Sequence, residues 1–324
     1  MKAIVVRAFG GPEVLRAEDA PDPAPGAGQI LVAVKAVGVN PVDVYVRAGA
    51  YPRKPELPYT PGTDAAGIVE AAGAGVSAFK EGDRVYVYGT VGGAYASKAV
   101  VETSRAFPLP ESLSFEQGAA LGVPYGTAHR ALFHRAGARK GETVLIHGAS
   151  GGVGVAALQL ARAAGMTVIG TGGGPEGAAF VKSLGAHHAV DHRAPGYQDE
   201  IRALTGGRGA DVIVEMLANV NLPADLALAA PNGRIVVVGS RGAVALDPRA
   251  AMMKDASILG MSLWNMSDAD RRTVHADLAG GLADGGLKPV IGKSFPLADA
   301  ALAHEAVLAS GARGKIVLIP QEKP

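Results

Sequence analysis

Glycines at positions 148, 151 and 154 are the first residues in this sequence whose type and spacing could do chemistry. They follow a short apolar segment, residues 143–147, and precede a segment rich in alanine and leucine. In a strand-turn-helix context this G-x-x-G-x-x-G spacing allows a tight turn, a close approach of a diphosphate and close packing of helix on strand. The helix N-terminus then presents its N–H groups to the phosphates. The pattern therefore predicts a dinucleotide bound by Gly148, Ser150, Gly151, Gly152, Val153 and Gly154.

The end of the next strand distinguishes between the two nicotinamide cofactors. NAD enzymes usually carry Asp or Glu there to accept hydrogen bonds from the ribose hydroxyls. This chain has Thr171 followed by three glycines, so no carboxylate repels a 2′-phosphate, and NADPH is favoured. The nearest acid, Glu176, suits the first turn of the following helix. Positive partners could come from Lys182, His192 or Arg193, each of which could equally be a solvated surface residue.

Two more polar clusters follow predicted strands. Residues 219–221 read Asn-Val-Asn, and residues 239–242 read Gly-Ser-Arg-Gly. Ligands of open α/β sheets bind outside the carboxyl ends of the strands. We therefore expect both clusters to face a ligand, although turn formation alone would also explain them.

The elements that must position these residues change character at residue 141. From there, short apolar strands alternate with helices, which predicts a doubly wound parallel sheet of the α/β class. The first third and the tail read as Val/Ile-rich strands bounded by Gly or Pro, and we expect them to form one β-rich domain. The predicted strands are residues 1–9, 29–37, 65–71, 84–88, 143–147, 167–171, 189–191, 211–216, 234–239, 258–263, 289–295 and 315–319. The predicted helices are residues 115–135 (N-cap Ser114, kinked or divided at Pro124), 153–164, 176–184, 197–204, 222–230, 268–282 and 299–309.

Composition excludes several classes of protein. The 324 residues carry a formal charge of +1 and no cysteine, which excludes a disulfide framework and a thiolate zinc site. The balanced charge does not suit an electrostatically driven nucleic-acid binder, and 48% hydrophobic residues do not suit a disordered chain. No stretch approaches the roughly 20 apolar residues of a membrane span, and the N-terminal apolar run is too short for a signal peptide. We therefore expect a cytoplasmic protein without a membrane partner.

Six ordered segments carry a family resemblance that covers nearly the whole chain. They are residues 9–15 (FGGPEVL), 38–43 (GVNPVD), 57–64 (LPYTPGTD), 147–154 (HGASGGVG), 215–222 (EMLANVNL) and 237–242 (VVGSRG). With these segments the chain resembles the medium-chain dehydrogenase/reductase superfamily and, within it, the zeta-crystallin group of NADPH quinone oxidoreductases.

The resemblance implies a GroES-like catalytic domain, residues 1–122 plus 290–324, split around a Rossmann NADPH-binding domain, residues 123–289. It implies reduction of quinones, ortho-quinones above all and by one-electron transfer to the semiquinone, with the nicotinamide in the cleft between the domains. Carried over by position, Tyr45 lies near the nicotinamide, and Gly173 and His192 lie beside the ribose and its phosphate. Related reductases often place Lys where this chain has Gly177. The implied contacts on the nicotinamide side are Asn221, Val238, Gly239, Ser240, Arg241, Met261, Ser262 and Leu263.

The zinc-dependent alcohol dehydrogenases of the same superfamily use metal ligands that this sequence does not provide. Asn40 and Pro41 stand where the first cysteine ligand would be, and Gly62-Thr63-Asp64 replaces a Gly-His-Glu motif. The eight histidines are scattered, so we expect no metal. Without a Lewis acid the substrate must accept electrons readily, as a quinone does, and the cofactor supplies the difficult chemistry.

Four polar residues are candidates for the mouth of the substrate slot: Asn40, Tyr45, Tyr51 and Tyr59. A tyrosine could donate a proton or a hydrogen bond to the reduced quinone oxygen. The alternative is that these residues only shape the slot, because a phenol with a pKa near 10 is a poor acid and a quinone hardly needs one.

Three further hypotheses remain open. An enoyl-thioester or alkenal reductase of the same superfamily would need Tyr45 or Tyr51 as the proton donor. An NADPH-binding protein that binds AU-rich RNA or serves a structural role belongs to another class, and the charge pattern supports it only weakly. We also expect a homodimer or homotetramer, with residues 258–263 as the edge strand that pairs two copies, although an internal strand would read the same way.

Overall fold

The computed structural model describes residues 1–311 and 313–320, which divide into two compact units. One unit comprises Met1–Val123 together with the chain from Lys288 onward, and the other comprises Pro124–Leu287. The first unit is rich in antiparallel strands, and the second alternates strands with helices. We call them the β-rich unit and the α/β unit.

The N-terminal part of the β-rich unit contributes seven strands and two helices, and a third helix begins at its end and continues into the α/β unit. The strands are β1 (Lys2–Val5), β2 (Arg16–Asp19), β3 (Gln29–Val39), β4 (Asp64–Ala72), β5 (Arg84–Tyr88), β6 (Lys98–Glu102) and β7 (Ala106–Pro108). The helices are α1 (Pro41–Arg47), α2 (Phe115–Gly118) and α3 (Gly122–His129), and short 3-10 turns span Pro12–Val14 and Thr103–Arg105. Helix α3 continues into a π-helix, Arg130–Arg135, in the α/β unit.

The α/β unit contains a six-stranded, wholly parallel sheet. Its strands are β8 (Thr143–Ile146), β9 (Thr167–Gly172), β10 (His188–Asp191), β11 (Ala210–Glu215), β12 (Ala229–Val237) and β13 (Ser257–Gly260), in the spatial order β10-β9-β8-β11-β12-β13. Its helices are α4 (Gly152–Ala163), α5 (Gly174–Ser183), α6 (Tyr197–Leu204), α7 (Ala218–Leu228), α8 (Pro248–Met252) and α9 (Asp268–Ala283), with a 3-10 turn at Leu263–Asn265. Strand order therefore reverses between β8 and β11.

The tail returns to the β-rich unit. It forms β14 (Ile291–Pro296), α10 (Ala300–Leu308) and β15 (Lys315–Ile319), with a 3-10 turn at Leu297–Asp299. Strand β15 runs antiparallel to β3, with Val317 opposite Gly38, and so completes a sheet of order β14-β15-β3-β4-β5-β7. Strand β6 also pairs with β3, and β1 pairs with β2 in a separate two-stranded sheet. The fold-class prediction, a doubly wound parallel sheet inserted into a split β-rich domain, is confirmed.

Continuous apolar sequence explains the parallel sheet. Val144, Leu145 and Ile146 are fully buried in β8, as expected for a strand covered by helices on both faces. Leu145 shares one core cluster with residues of β9 and β11, including Ile169 and Ile213. The β-rich unit has its own core, so each unit buries apolar side chains independently.

The helix predicted over residues 115–135 is divided. Helix α2 ends at Gly118, and α3 begins at Gly122, before the proline at which we expected the break. Pro124 instead occupies the first turn of α3, where a missing N–H removes no intrahelical hydrogen bond. The predicted N-cap is correct: Ser114 Oγ accepts from the Gln117 N–H at 3.2 Å, and Gln117 Oε1 accepts from the Ser114 N–H at 3.0 Å.

Two predicted strands extend too far, and some short elements were missed. Strand β1 ends at Val5 because Val6 leaves β2 and exchanges backbone hydrogen bonds with Tyr59. Strand β13 ends at Gly260, and the Met261 N–H donates to the carbonyl of Val237, the last residue of its partner β12. Strands β2, β6 and β7 and helices α1 and α8 were not predicted, because segments of three to seven residues carry little periodicity.

Among the described residues, no helix combines the length and hydropathy that crossing a lipid bilayer requires.

The capping contacts of Ser114 yield a stability prediction. Replacing Ser114 with Ala removes the acceptor for the Gln117 N–H and should lower the free energy of unfolding by about 1 kcal/mol, measured by urea denaturation. The control is Ser104→Ala, at an exposed position in a 3-10 turn, which should change this energy by less than about 0.5 kcal/mol. Equal effects of the two substitutions would contradict the capping role.

Candidate functional site

The carboxyl ends of β8 and β11 meet where the strand order of the parallel sheet reverses. In open α/β sheets this reversal opens a crevice in which ligands bind. The glycine turn follows β8 directly. Gly148 has φ +58° and donates its N–H to Thr171 Oγ1 at 3.1 Å, which ties the turn to the neighbouring strand β9. The predicted turn therefore lies at the ligand-binding edge of the sheet.

The turn brings helix α4 so close to the backbone that only glycine fits at position 154. A Cβ on Gly154 would lie 2.2 Å from the Gly148 carbonyl oxygen and 2.6 Å from the Ala149 Cα. Gly151 is the N-cap, and no described side chain caps the helix. The amides of Gly152 and Val153 in its first turn therefore face the crevice edge without a side-chain partner. This arrangement fits a dinucleotide diphosphate.

The loops after β9 and β10 bring together the residues predicted for the adenosine end. Asp191 Oδ1 accepts from the backbone N–H groups of Gly174 at 2.7 Å and Arg193 at 2.9 Å, and the His192 N–H donates to the Gly172 carbonyl. These contacts fix the loop of residues 191–193 against the start of α5.

The guanidinium of Arg193 lies directly over Gly173. A Cβ built on Gly173 would be 3.2–3.3 Å from the Arg193 Nε, Cζ and Nη2 atoms. The pKa of Asp191 is lowered, chiefly by the hydrogen bond from the Arg193 backbone N–H. The hydrogen bond from the Gly174 N–H and the charges of His192 and Arg193 lower it further, so this carboxylate stays ionised. A cation therefore stands at the end of the second strand, where NAD enzymes usually place a carboxylate.

Position 177 cannot supply a second cation. Helix α5 packs on β9 backbone to backbone: a Cβ on Gly172 would lie 2.4 Å from the Gly177 carbonyl carbon, and a Cβ on Gly177 would lie 3.2 Å from the Gly172 carbonyl carbon. Lys182, at the other end of α5, donates to the His187 carbonyl instead.

The segments predicted for the nicotinamide side all follow parallel strands at the same edge. Asn221 lies on α7, which begins at Ala218 and not at residue 222 as predicted. Its Nδ2 donates to Glu215 Oε1 at 3.1 Å. The N–H groups of Val238 and Gly239 donate to the Glu215 carbonyl, so the segment after β12 is also tied to Glu215. In that segment and after β13 lie Ser240, Arg241, Met261, Ser262 and Leu263.

A buried cluster of three titratable side chains lies beneath these segments. His147 Nε2 is 2.8 Å from Asp225 Oδ1 and 3.6 Å from Glu215 Oε2, and both acids are fully buried. Among the described residues this is the one group of three His and carboxylate side chains whose donor atoms all lie within 4.8 Å of one another. The 2.8 Å contact is an ordinary hydrogen-bond distance, so we interpret the group as a proton-sharing cluster.

The pKa shifts within this cluster follow from burial and charge. Burial raises the pKa of Glu215 to about 7, against the opposing charge of His147 and with help from Asp225. Burial lowers the pKa of His147, but the hydrogen bond and charge of Asp225, with the charge of Glu215, outweigh it and raise the pKa above its ordinary value. The cluster therefore holds protons more tightly than its isolated groups would.

In the β-rich unit, Asn40 belongs to a buried network at the ends of three adjacent strands. Its Nδ2 donates to Asp64 Oδ2 at 3.0 Å, and its Oδ1 accepts from Lys315 Nζ. Lys315 Nζ also lies 3.4 Å from Asp64 Oδ2. Gly38 leaves room for this pair, because a Cβ there would lie 2.9 Å from both the Asp64 Cβ and the Lys315 Cε. The amide of Asn40 is therefore engaged at both ends inside the unit.

Asp43 extends the network toward helix α10. Its Oδ2 accepts from the Asn40 N–H at 2.8 Å and from the Tyr95 hydroxyl at 3.2 Å, and that hydroxyl lies 3.0 Å from His304 Nε2. Burial raises the pKa of Asp43 to about 7 and lowers that of His304 to about 3. These contacts connect α1 to Tyr95, which lies between β5 and β6, and to His304 on α10.

The three candidate tyrosines differ in their surroundings. Tyr45 and Tyr51 are half-buried on α1 and in the following loop. The Tyr59 hydroxyl is buried, and its ring lies 6.5 Å from that of Phe9. Burial, followed by the charge of Asp43, raises the pKa of Tyr59 to about 12. Tyr59 is therefore a weaker acid than a free phenol.

Sequence reasoning missed both buried networks. His147 and Glu215 stand inside segments that carried the family resemblance, but nothing local marks Asp225 as their partner. Lys315 is 275 residues from Asn40 along the chain, and only the pairing of β15 with β3 brings them together. The sequence did contain one indication of these buried networks, namely a charged residue in an otherwise apolar strand, such as Glu215 or Lys315.

Comparison with known proteins assigns related domains to both units. The family model of zinc-binding dehydrogenases matches residues 152–279, and that of the alcohol dehydrogenase GroES-like domain matches residues 26–111. The quinone oxidoreductase of Rattus norvegicus is 52% identical over 98% of this chain and 98% of its own length. Among solved structures, an NAD-dependent alcohol dehydrogenase aligns with TM-score 0.92 and 34% identity, and a mycobacterial protein complexed with NADPH aligns with TM-score 0.90 and 33% identity. Each of these alignments covers 99% of this chain and 100% of the other.

The close approach at Gly154 predicts a sharp difference between two helical glycines. Gly154→Ala places a methyl group against backbone atoms, which should destabilise the protein by about 1–3 kcal/mol and weaken dinucleotide binding. Gly280→Ala is the control: it lies inside α9 with nothing within 4 Å of its Cβ position and should be neutral or stabilising. Thermal unfolding with and without NADPH measures both effects, and unchanged binding by Gly154→Ala would contradict this account.

Proposed function

Since the chain belongs to the quinone oxidoreductases of the medium-chain dehydrogenase/reductase superfamily, we propose that it reduces quinones with NADPH and without zinc. The resemblance of its motifs extends this proposal to ortho-quinones as preferred acceptors and to one-electron transfer.

The position of Arg193 carries the cofactor part of the proposal. A guanidinium over Gly173 offers a 2′-phosphate several charge-assisted hydrogen bonds, and no carboxylate follows Thr171 to bind a free ribose hydroxyl pair. An anionic phosphate would therefore find a cation at the end of the second strand. The mycobacterial relative complexed with NADPH supports the same choice.

When bound, NADPH would supply the electrons that reduce the quinone, and the protein would bind and position it. The first-turn amides of α4 would hold the diphosphate, and Arg193 would hold the 2′-phosphate. The segments after β11 and β12 would support the nicotinamide half, since Glu215 ties both of them to the sheet. Each contact orients the cofactor without taking part in proton transfer.

We propose that the tyrosines shape the substrate slot and do not act as obligatory acids. The raised pKa of Tyr59 makes proton donation from this phenol harder than from a free one, and a quinone accepts electrons without prior protonation. Replacing Tyr45 or Tyr51 with Phe distinguishes this proposal from the enoyl-thioester reductase hypothesis. That hypothesis requires a loss of about 10²-fold or more in kcat.

The zinc-free part of the proposal is supported by the chemistry of the residues present. The chain contains no cysteine, although one matching family is described as zinc-binding. Asn40 stands at the position of the first cysteine ligand in the zinc enzymes. Its side-chain amide donates a hydrogen bond to Asp64 and accepts one from Lys315. An ammonium group so near would repel a divalent cation.

We also propose a homodimer that forms through strand β13. This strand is the edge of the parallel sheet, and its residues Ser257 and Ile258 are exposed. An open edge presents unpaired backbone groups that a second copy can pair with.

The role of Arg193 predicts a cofactor-specific loss of affinity. Arg193→Ala should raise the Kd of NADPH by roughly 10–100-fold, because a hydrogen bond to a charged group contributes about 1.5–3 kcal/mol. The Kd of NADH should stay nearly constant. Lys182→Ala, at the C-terminal end of α5, is the control and should change neither Kd, measured by fluorescence titration. An equal loss for both cofactors would mean that Arg193 supports the loop and does not bind the phosphate.

Zinc independence predicts that chelation leaves the activity intact. The purified protein, dialysed against EDTA, should oxidise NADPH with an ortho-quinone at an undiminished rate, and added Zn²⁺ should not increase it. Loss of activity on dialysis, restored by Zn²⁺, would overturn the zinc-free proposal. Failure to oxidise NADPH with any quinone under either condition would overturn the activity itself.

A further inference from the structure

Glu215 contacts residues of three segments at the ligand-binding edge of the parallel sheet, namely those that follow β8, β11 and β12. Its Oε1 accepts from the Leu217 N–H and the Asn221 Nδ2, and its carbonyl accepts from the Val238 and Gly239 N–H groups. Its Oε2 lies 3.6 Å from His147, the residue immediately before Gly148. The glycine turn, the start of α7 and the segment after β12 are therefore each bound by Glu215 or adjacent in sequence to its partner His147.

The electrostatics of the cluster require a proton. Glu215 and Asp225 are both fully buried, and His147 can neutralise only one of two ionised carboxylates. Within the described chain, Glu215 Oε2 and Asp225 Oδ2 have no hydrogen-bond partner. A proton on one of these oxygens would supply the missing donor and remove an uncompensated buried charge, which is otherwise very costly.

The cluster lies at the ends of the two strands between which the strand order reverses: His147 follows β8 directly, and Glu215 is the last residue of β11. A dinucleotide that crosses this crevice brings two diphosphate charges, and NADPH adds its 2′-phosphate. Negative charge placed near an acid favours the protonated form of that acid. The affinity of the crevice and the protonation of the cluster are therefore linked.

We propose that Glu215 is a positioning residue for the dinucleotide and that its neutral, protonated carboxyl is the form that binds the cofactor. The proposal rests on the proposed function, because it takes NADPH as the ligand of the crevice. The neutral acid keeps Oε1 as acceptor for Leu217 and Asn221 and donates through Oε2 to Asp225. Ionisation at high pH places a second negative charge beneath the diphosphate.

The direction of the pH dependence follows from linkage. The pKa of Glu215, raised to about 7 by burial, rises further when an anionic ligand binds. The complex then holds more protons than the free protein at pH values above about 7. Binding therefore takes up protons, and affinity falls as pH rises, by up to about tenfold for each unit by which the ligand raises the pKa.

Three titratable groups face Glu215 or its partners, and the test must distinguish their contributions to the pH dependence of binding from that of Glu215. Asp225 on α7 and His147 after β8 are in the cluster, and His192 after β10 interacts with the charge of His147. Burial lowers the pKa of His192, so it is mostly neutral at neutral pH. The 2′-phosphate of NADPH also titrates, and a comparison between protein variants with the same ligand cancels its contribution.

The test is isothermal titration of NADPH into the intact protein in buffers of different ionisation enthalpy, at pH 6.5, 7.5 and 8.5. We expect proton uptake at pH 7.5 in the wild type and a rise in Kd between pH 6.5 and 8.5. Glu215→Gln is an isostere of the neutral acid that keeps the acceptor and the donor. It should bind NADPH as tightly as the wild type does at pH 6.5, lose most of the uptake and show a flatter pH profile.

Matched variants separate titration from structure. Glu142→Gln makes the same chemical change at the opposite end of β8, where Glu142 pairs with Arg234, and should retain the wild-type uptake. Asp225→Asn removes the neighbouring carboxylate, lowers the pKa of Glu215 and should also reduce the uptake. Glu215→Ala loses both acceptor contacts and should weaken binding at every pH, whereas Glu215→Gln should not.

The outcomes distinguish this proposal from the proposed function. No binding of NADPH by the wild type at any pH would overturn the proposed function. Binding with identical proton uptake in the wild type and Glu215→Gln would overturn only the role of Glu215. A second readout needs no cofactor: between about pH 5 and 7 the raised pKa of Glu215 contributes a fall in the melting temperature as pH rises, because the folded state binds a proton that the unfolded state has lost. That slope should be reduced in Glu215→Gln, and an unchanged slope would likewise count against the proposal.

Discussion

The reversal of strand order between β8 and β11 is the constraint on which the rest of the α/β unit depends. Connections leave these two neighbouring strands in opposite directions, so the sheet edge between them stays open. The glycine turn, the start of α7 and the segment after β12 all lie at this edge, because they follow the carboxyl ends of β8, β11 and β12. Every residue expected to contact the cofactor in this unit therefore follows the carboxyl end of a parallel strand.

The opening is useful only because backbones approach one another there more closely than side chains allow. Gly154 lets the first turn of α4 touch the turn that precedes it, and Gly172 lets α5 touch β9. The second contact has a chemical consequence, because it removes position 177 as a site for a phosphate-binding side chain. Arg193, carried on the next loop and fixed by Asp191, occupies the same region from the other side.

Both units bury two acidic side chains beside one basic side chain. In the β-rich unit, burial lowers the pKa of Lys315 and raises that of Asp64, so it favours the neutral form of each side chain. The attraction between the two charges has the opposite effect and favours the charged forms. In the α/β unit a histidine serves two acids, so one proton must remain.

The sequence by itself determined what depends on neighbouring residues. The glycine spacing, the apolar runs of the parallel strands and the cap at Ser114 are local, and so are the absence of cysteine and the missing acid after Thr171. These features predicted the fold class and the position of the turn. They also led to two proposals, that NADPH is preferred to NADH and that the chemistry needs no zinc. Short elements such as β7 and α1 were not predicted, because three to seven residues are too few to show a hydrophobic periodicity.

The tertiary structure alone decided which polar groups meet. Asn40 reads as a candidate for the substrate slot until β15 brings Lys315 against it, and Glu215 reads as the end of a strand until α7 brings Asp225 beneath it. Burial also changes what these groups do: it turns an ordinary carboxyl into an acid that titrates near neutrality and a phenol into a weaker acid. Desolvation and long-range pairing are properties of the packed chain, and no local pattern encodes them.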